Sequence, residues 1–402
     1  MTAIDKINET AEKEWRAYIE PLLPIGQRLV AQINEPEDAQ LRQEIYKAAF
    51  SALSVGYLAL LNSDPDHPDF VPFTGQFLNL LGPNPDFMYY MTPIRDDAVY
   101  RLSGFRGTVH MAIIQVAGGT FVPRGEGQIL GTTFNNYYLD DLTLGADGSF
   151  DVLLSRNRPE DYTGDWLELK STATNIVFRQ LSYDWLTEQD ARIVIERVDG
   201  PASKPRPSAE RIAANLKQLA AWVENYVAIS NRFCKGFAAK GLNQVHFINF
   251  SDDGGMPAQA YLEGLFDLAA DEALILETEM PVTRPYWSFH LTDERWTTYD
   301  WLNRHTHLNG HNAKVDSDGK FRAVISPVDP GVHNWLDSLG YKRGIIQGRW
   351  HKCSSYPQPT CKVVKIADVR KHLPVDTPLV STAERERAIR LQRKGAQLRR
   401  RW

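Results

Sequence analysis

The sequence predicts a mainly β protein with helical additions, built as two jelly-roll or β-sandwich-like domains with N-terminal and linking helices. Three observations carry that expectation. Short runs rich in β-branched residues alternate with Gly and Asp turns through two long regions. A Pro/Gly/Ser stretch at residues 200–207 separates the regions and leads into a long amphipathic helix. A nine-residue pattern at 147–155 returns at 318–326 with four identities, Asp, Gly, Phe and Ser, which points to an internal duplication.

Residues 1–64 read as a helical region. Asn34 is placed to cap a helix with Pro36 in its first turn, and Leu41, Ile45, Ala48, Ala52 and Leu53 recur on one face. The apolar run 48–61 is shorter than the roughly 20 residues a membrane span needs, so it is expected to be a buried helix. The polar, proline-containing segment 62–68 ends it.

The first β domain is expected over 65–200, with strands near 109–116, 150–154, 175–178 and 193–198. A linking helix follows over 201–245, capped by Ser208 and apolar at Ile212, Leu216, Leu219 and Val223. The second β domain spans 246–380, with strands near 273–277, 286–291, 321–325, 344–350 and 362–366. Downstream of the repeated pattern, Trp166-Leu167 aligns with Trp335-Leu336, each pair leading toward a further strand.

Composition narrows the function. Apolar residues make up 43% and charged residues 24% of the chain, a folded composition, and a net charge of −5 argues against a general nucleic-acid binder. Residues 381–402 hold seven Arg, one Lys and two Glu. This basic tail lacks a continuous apolar face, so it is expected to pair with the acidic body of its own chain or a sister subunit rather than a membrane. Three cysteines without a Cys-x-x-Cys pair and a charged N-terminal segment fit a cytoplasmic protein. No Gly-x-Ser-x-Gly elbow, kinase signature or His-Glu-x-x-His motif is present, and no cofactor is expected.

Several stretches carry a family resemblance: Gly82-Pro83-Asn84-Pro85-Asp86, residues 99–107, residues 261–268, and above all residues 329–337 with Arg349-Trp350 downstream. They resemble the domain of unknown function numbered 1214, often found beside a companion numbered 1254. The resemblance implies jelly-roll-like β domains with attached helices. It implies no reaction and brings no catalytic residues.

The chemistry-bearing candidates lie late in the chain. Pro330-Gly331 forces a turn that is expected to bring Asp329 beside His333, an Asp–His pair suited to acid–base work, with Arg349 to hold an anion. The competing structural reading makes Asp329 a turn former and Trp335 a core residue. Substrate contacts are expected from Tyr89, Tyr90, Trp287, His311, Asn334, Trp335 and His351. His305, His307 and His311 are weak candidates for a metal site, because the carboxylate such a site needs does not follow until Asp316. A loop of hydrogen-bonded histidines is the favoured alternative.

These features lead to a cofactor-independent enzyme of hydrolase or lyase type, acting on a bulky, largely apolar molecule such as a terpenoid, steroid or aromatic. The alternatives are a carbohydrate-active or carbohydrate-binding protein and a non-catalytic ligand-binding or assembly protein. The partners expected are a small-molecule ligand and, through the tail, a second copy in a homo-oligomer; neither nucleic acid nor membrane is expected.

Overall fold

Helices come first in the chain because apolar residues recur there at the helical period. The computed structural model describes residues 3–33, 35, 37–119, 132–250 and 254–399. Its N-terminal region holds α1 (Ala3–Ile19), α2 (Ile25–Val30) and α3 (Ala39–Tyr57), the last continuing into one π turn, Leu58–Asn62. The cap of α3 is Asp38, whose carboxylate accepts from the Gln40 and Leu41 amides at 2.8 and 3.2 Å. Asn34 and Pro36, the expected cap and first-turn proline, lie outside the described residues.

Ala52 and Val55 of α3 pack on Trp222, Val223 and Tyr226 of α4 (Ala209–Ala239). Ser208 caps α4 by accepting from the Arg211 amide at 3.2 Å. By length and composition Ala39–Asn62 is apolar enough to cross a membrane, with 22% of its most apolar window buried.

The first β lobe contains β1 (Val71–Thr74), β2 (Phe87–Pro93), β3 (Tyr100–Phe105), β4 (Met111–Gly118) and β5 (Thr132–Tyr138). It continues with β6 (Ser149–Ser155), β7 (Asp165–Glu168), β8 (Ala173–Leu181) and β9 (Arg192–Arg197). One sheet runs β1-β2-β8-β4-β5 and the other β7-β6-β3-β9. Their inner faces meet in a single core, where Tyr90, Ile114 and Phe178 from the first sheet pack on Leu102, Val152 and Ile193 from the second.

The second lobe repeats this plan. Its strands are β10 (His246–Ile248), β11 (Gln259–Asp267), β12 (Glu272–Glu279), β13 (Tyr286–Thr292) and β14 (His307–Asn309). Then come β15 (Lys320–Ser326), β16 (Trp335–Asp337), β17 (Arg343–His351) and β18 (Thr360–Lys365). The sheets run β10-β11-β17-β13-β14 and β16-β15-β12-β18, the first lobe's order with every strand advanced by nine.

The repeat extends to residues. Phe150 and Phe321 are each the second residue of their strand, in β6 and β15. Each of those strands pairs in parallel with a short one, and in that register Leu153 faces Trp166 while Val324 faces Trp335. Both tryptophans donate from Nε1 to the serine ending the neighbouring strand, Ser155 at 3.0 Å and Ser326 at 3.1 Å. These two pairs are parallel, and the other strand pairs of the four sheets are antiparallel.

The basic C-terminal segment forms α5 (Thr382–Leu398) with a capping box at Ser381 and Glu384. Arg385 is buried against Asp329, with Nε 3.0 Å from the carboxylate, and Nη1 donates to the His333 carbonyl at 3.1 Å. The guanidinium also lies 5.4 Å from the Trp335 ring centre. The expected Asp329–His333 acid–base pair is therefore not formed. Asp329 answers Arg385, and the His333 ring bonds the Asn312 carbonyl at 2.9 Å, so the turn that brings them near serves to dock a helix.

Arg385→Ala removes the guanidinium donor from Asp329 and from the Val332 and His333 carbonyls. Urea unfolding of this variant is expected to show a loss of roughly 2–4 kcal/mol; a loss under about 0.5 kcal/mol, the range of ordinary surface substitutions, contradicts the docking role.

Candidate functional site

Alternation along β2, β8, β11 and β17 sends every second side chain away from the core of its own lobe. In the first lobe Tyr90 and Phe178 point inward, leaving their neighbours Tyr89 and Arg179 facing out as a cross-strand pair. In the second, Leu262 and Trp350 point inward, and Tyr261 and Arg349 form the register-equivalent pair. Each arginine lies near its tyrosine's ring, at 5.7 Å for Arg179 and 4.6 Å for Arg349. Each tyrosine hydroxyl accepts from the amide five residues upstream, Asn84 at 3.3 Å and Met256 at 2.7 Å.

Both pairs line one recess of about 100 Å³ between the lobes, with Asn84, Phe250, Trp296 and Gln347. The turn at Gly82 keeps it in shape. Gly82 has φ +56°, and an added Cβ there would lie 2.4 Å from Gln347 Oε1, so glycine is required for both conformation and space.

Glu263 stands directly behind this wall. It is wholly buried on β11, and Oε1 accepts from Arg349 Nη1 at 2.7 Å and Gln347 Nε2 at 3.2 Å. Oε2 is buried with no hydrogen-bond partner among the described residues. Burial pushes the carboxyl up to about 7, although Arg349 and the Gln347 amide pull the other way. His290 of β13 donates from Nε2 to Gln347 Oε1, 2.9 Å away, and burial holds its pKa well below the ordinary histidine value. A chain of polar contacts thus runs His290–Gln347–Glu263–Arg349.

The first lobe lacks this chain. Counting by strand partners, the positions of Glu263, Gln347 and His290 are occupied by Met91, Val177 and Gln115. The arginine–tyrosine pair is common to both lobes, and the polar relay belongs to one.

A second buried cluster joins the lobes beside the recess. Asp86, fully buried, accepts from Tyr286 at 2.9 Å and Asn309 at 2.7 Å in the second lobe, and from Trp185 at 3.0 Å in the first. His307 Nε2 lies 3.0 Å from the same carboxylate. Asn84 adds donors to Tyr286 and Ser288 at 2.6 and 3.1 Å. Arg399, just after α5, closes the arrangement by donating to the Pro85 and Asp86 carbonyls. Arg399 also edges a larger, mostly apolar recess of about 260 Å³ that shares Thr74, Phe87 and Tyr89 with the first.

The residues singled out in the sequence are scattered by this geometry. Arg349 and Tyr89 line the interlobe recess, while Tyr90 is a core residue stacked on Phe178 that also edges the larger recess. Arg349 shares no contact with Asp329 or His333, since it lies on the outward face of β17 and they sit under α5. Trp287 is core, packed against Phe321 and Trp350. Asn334 closes a loop through the Lys314 and Arg322 carbonyls, and Trp335 lies between Arg385 and its serine, so neither reaches the recess.

The histidines also part company. His305 bonds the Trp335 carbonyl and lies flat on that ring, held by burial at a pKa of about 3. His307 meets Asp86, and His311 is exposed with its amide donating to Asn309. His351 is buried against the Tyr138 hydroxyl at 3.2 Å, its pKa lowered to about 4 by burial. Among the described residues no three His, Cys, Asp or Glu side chains are grouped to hold a metal ion.

Glu263, Asp86 and Arg179 were missed as site residues. Glu263 and Asp86 nonetheless fall within 261–268 and 82–86, two of the stretches that carried the family resemblance. Glu263, after Leu262, and Arg179, after Ile176-Val177-Phe178, shared a further signal, a charge in the interior of a strand.

Fold and site define a two-lobed β-sandwich protein with a polar recess at the lobe junction. Its segments 120–182 and 265–343, one in each lobe, match the family described as "Protein of unknown function (DUF1214)", and the chain carries that family's pattern there. None of the curated proteins compared matches the chain. Among solved structures it is similar to an uncharacterized protein from Burkholderia cenocepacia, at 23% identity and TM-score 0.82, covering 89% of this chain and 98% of that one. That likeness shows the fold. A Vibrio parahaemolyticus protein, VPA0106, matches at 14% identity and TM-score 0.46 over 80% of this chain and 98% of that one.

Glu263 also predicts a pH dependence. Its carboxyl is raised in the folded state, so the fold binds a proton that the unfolded chain has released. The stability it contributes is full below about pH 4.5 and is lost as pH rises toward 7. Relative to Glu263→Gln, the wild type is expected to lose about 3 kcal/mol of unfolding free energy across that window. Chemical denaturation at several pH values checks it; a constant difference between the two proteins contradicts the raised pKa.

Proposed function

We propose that this protein is a cofactor-independent enzyme of hydrolase or lyase type whose small-molecule substrate occupies the recess between the lobes. The observation that supports this reading most is Glu263, a fully buried carboxyl held near neutrality one side chain behind the recess wall. Folding gains little from such a group, whereas proton transfer at neutral pH is favoured by a pKa near 7. Arg349 and Gln347 meet the substrate and position Glu263, while the buried, neutral His290 completes the polar chain.

The small recess suits the reacting end of a molecule. The adjoining apolar recess, which shares the Tyr89 wall, suits a bulkier remainder once that ring turns aside. Sugar stacking draws less support, because Tyr261 and Phe250 meet edge-on at 77° instead of presenting parallel platforms. A non-catalytic ligand carrier is the second reading, and one observation favours it: Glu263 stands behind the recess surface instead of on it.

The test is a panel of ester, amide and eliminable small-molecule substrates run against wild type and Glu263→Gln. Any activity found is expected to fall about 100-fold or more in the variant, with its fold intact by circular dichroism. Activity retained in a folded Glu263→Gln protein, or ligand binding with no turnover of any kind, turns the reading to the carrier.

A further inference from the structure

We propose that the interlobe recess is a carboxylate site, in which Arg179 grips the carboxylate of a small planar acid and Arg349 faces it from the other lobe. The inference deepens the proposed function by naming the substrate class, and it rests on that reading only for what happens to the acid once bound.

Charge is the first reason. Two guanidinium groups line the recess, and among its described lining residues there is no Asp or Glu. Glu263 answers Arg349 from behind. Among the described residues Arg179 has no carboxylate partner: its contacts there are the Gly254 carbonyl, 3.0 Å from Nη2, and the Tyr89 ring. Its Nε is buried and finds no hydrogen-bond partner among those residues. A guanidinium carries five donors in a planar fork that matches a carboxylate. One uncompensated positive charge calls for a monoanion.

Symmetry is the second reason. Arg179 and Arg349 hold equivalent places in the two repeats, each beside a tyrosine whose hydroxyl is fixed by a backbone amide. The second lobe spends its arginine on Glu263, and the equivalent position in the first lobe is Met91. The duplication therefore leaves two different guanidinium groups across one cavity, one committed and one open. Tyr89, Tyr261 and Trp296 in the wall favour a flat body. The recess, of about 100 Å³, suits the planar acid end of the molecule.

Calorimetric titration and thermal shift of the full-length protein near neutral pH test this. The probes are crotonate and benzoate, their neutral counterparts crotonamide and benzamide, and inorganic phosphate. At least one acid is expected to bind about tenfold or more tightly than its amide, and Arg179→Met to weaken it by about the same factor. Arg179→Lys, which keeps the charge but not the fork, is expected to recover part of the loss. It also guards against misfolding of the Met variant.

Equal binding of acid and amide overturns the proposal, as does undiminished binding by a folded Arg179→Met protein or no acid bound at about 20 mM. Phosphate binding tighter than either acid overturns it in favour of a phosphate site. Carboxylate binding with activity that survives Glu263→Gln defeats the enzyme reading alone, and lost activity in that variant without carboxylate binding defeats this inference alone.

Discussion

A buried carboxylate costs several kcal/mol unless donors surround it, and Asp86 is buried where the two lobes meet. Tyr286, Asn309 and Trp185 donate to it, and His307 lies at 3.0 Å. Because three of these four partners come from the second lobe, the lobes cannot slide or rotate apart without stranding the charge. The recess depends on that constraint. Its walls are the outward faces of two sheets that make no strand pairing with one another, so the buried polar contacts around Asp86 fix how those faces confront each other. Arg399 extends the same logic to the C-terminal helix, whose end is held on the carbonyls of the Asp86 turn.

Duplication explains what the constraint holds in place. Two copies of one topology present the same arginine–tyrosine pair outward, and apposing them creates a cavity with two cations. What differs is the residue behind each arginine. The second lobe supplies Glu263, Gln347 and His290, and the first supplies apolar Met91 and Val177 with Gln115. The same divergence appears at Asp86, whose equivalent in the second lobe is Ala258, just before β11. One copy carries the polar chain and the other the interlobe pin. Neither difference falls in the core between a lobe's two sheets, because the strand residues among them lie on outward faces.

Much of this was legible before any coordinates. Turn chemistry and β-branched runs marked the strands, and Asp147-Gly148 and Asp318-Gly319 with the following Phe exposed the repeat. Those residues are constrained by a tight turn and a core position together, so they changed little. The rest of the repeat was hidden. Tyr89 and Tyr261 sit in strands whose other residues were free to differ as long as alternation was kept. The site was read less well. Asp329 and His333 drew attention because Pro330-Gly331 brings them near in sequence, yet a turn shows only proximity, and Arg385, 52 residues beyond His333, claimed both. Glu263 and Arg179 lie far apart in the chain, and only strand register and lobe packing bring them to one cavity. Periodicity gives each strand's faces but not which face meets which.

The central claim is that Asp86 locks the lobes through its partners in the other lobe. A double-mutant cycle of Asp86→Asn and Tyr286→Phe, read by equilibrium unfolding, tests it most directly. The account predicts a coupling energy of about 1–3 kcal/mol between the two sites. Effects that add within about 0.3 kcal/mol would mean that the two side chains do not meet, and that the lobes are held by something else.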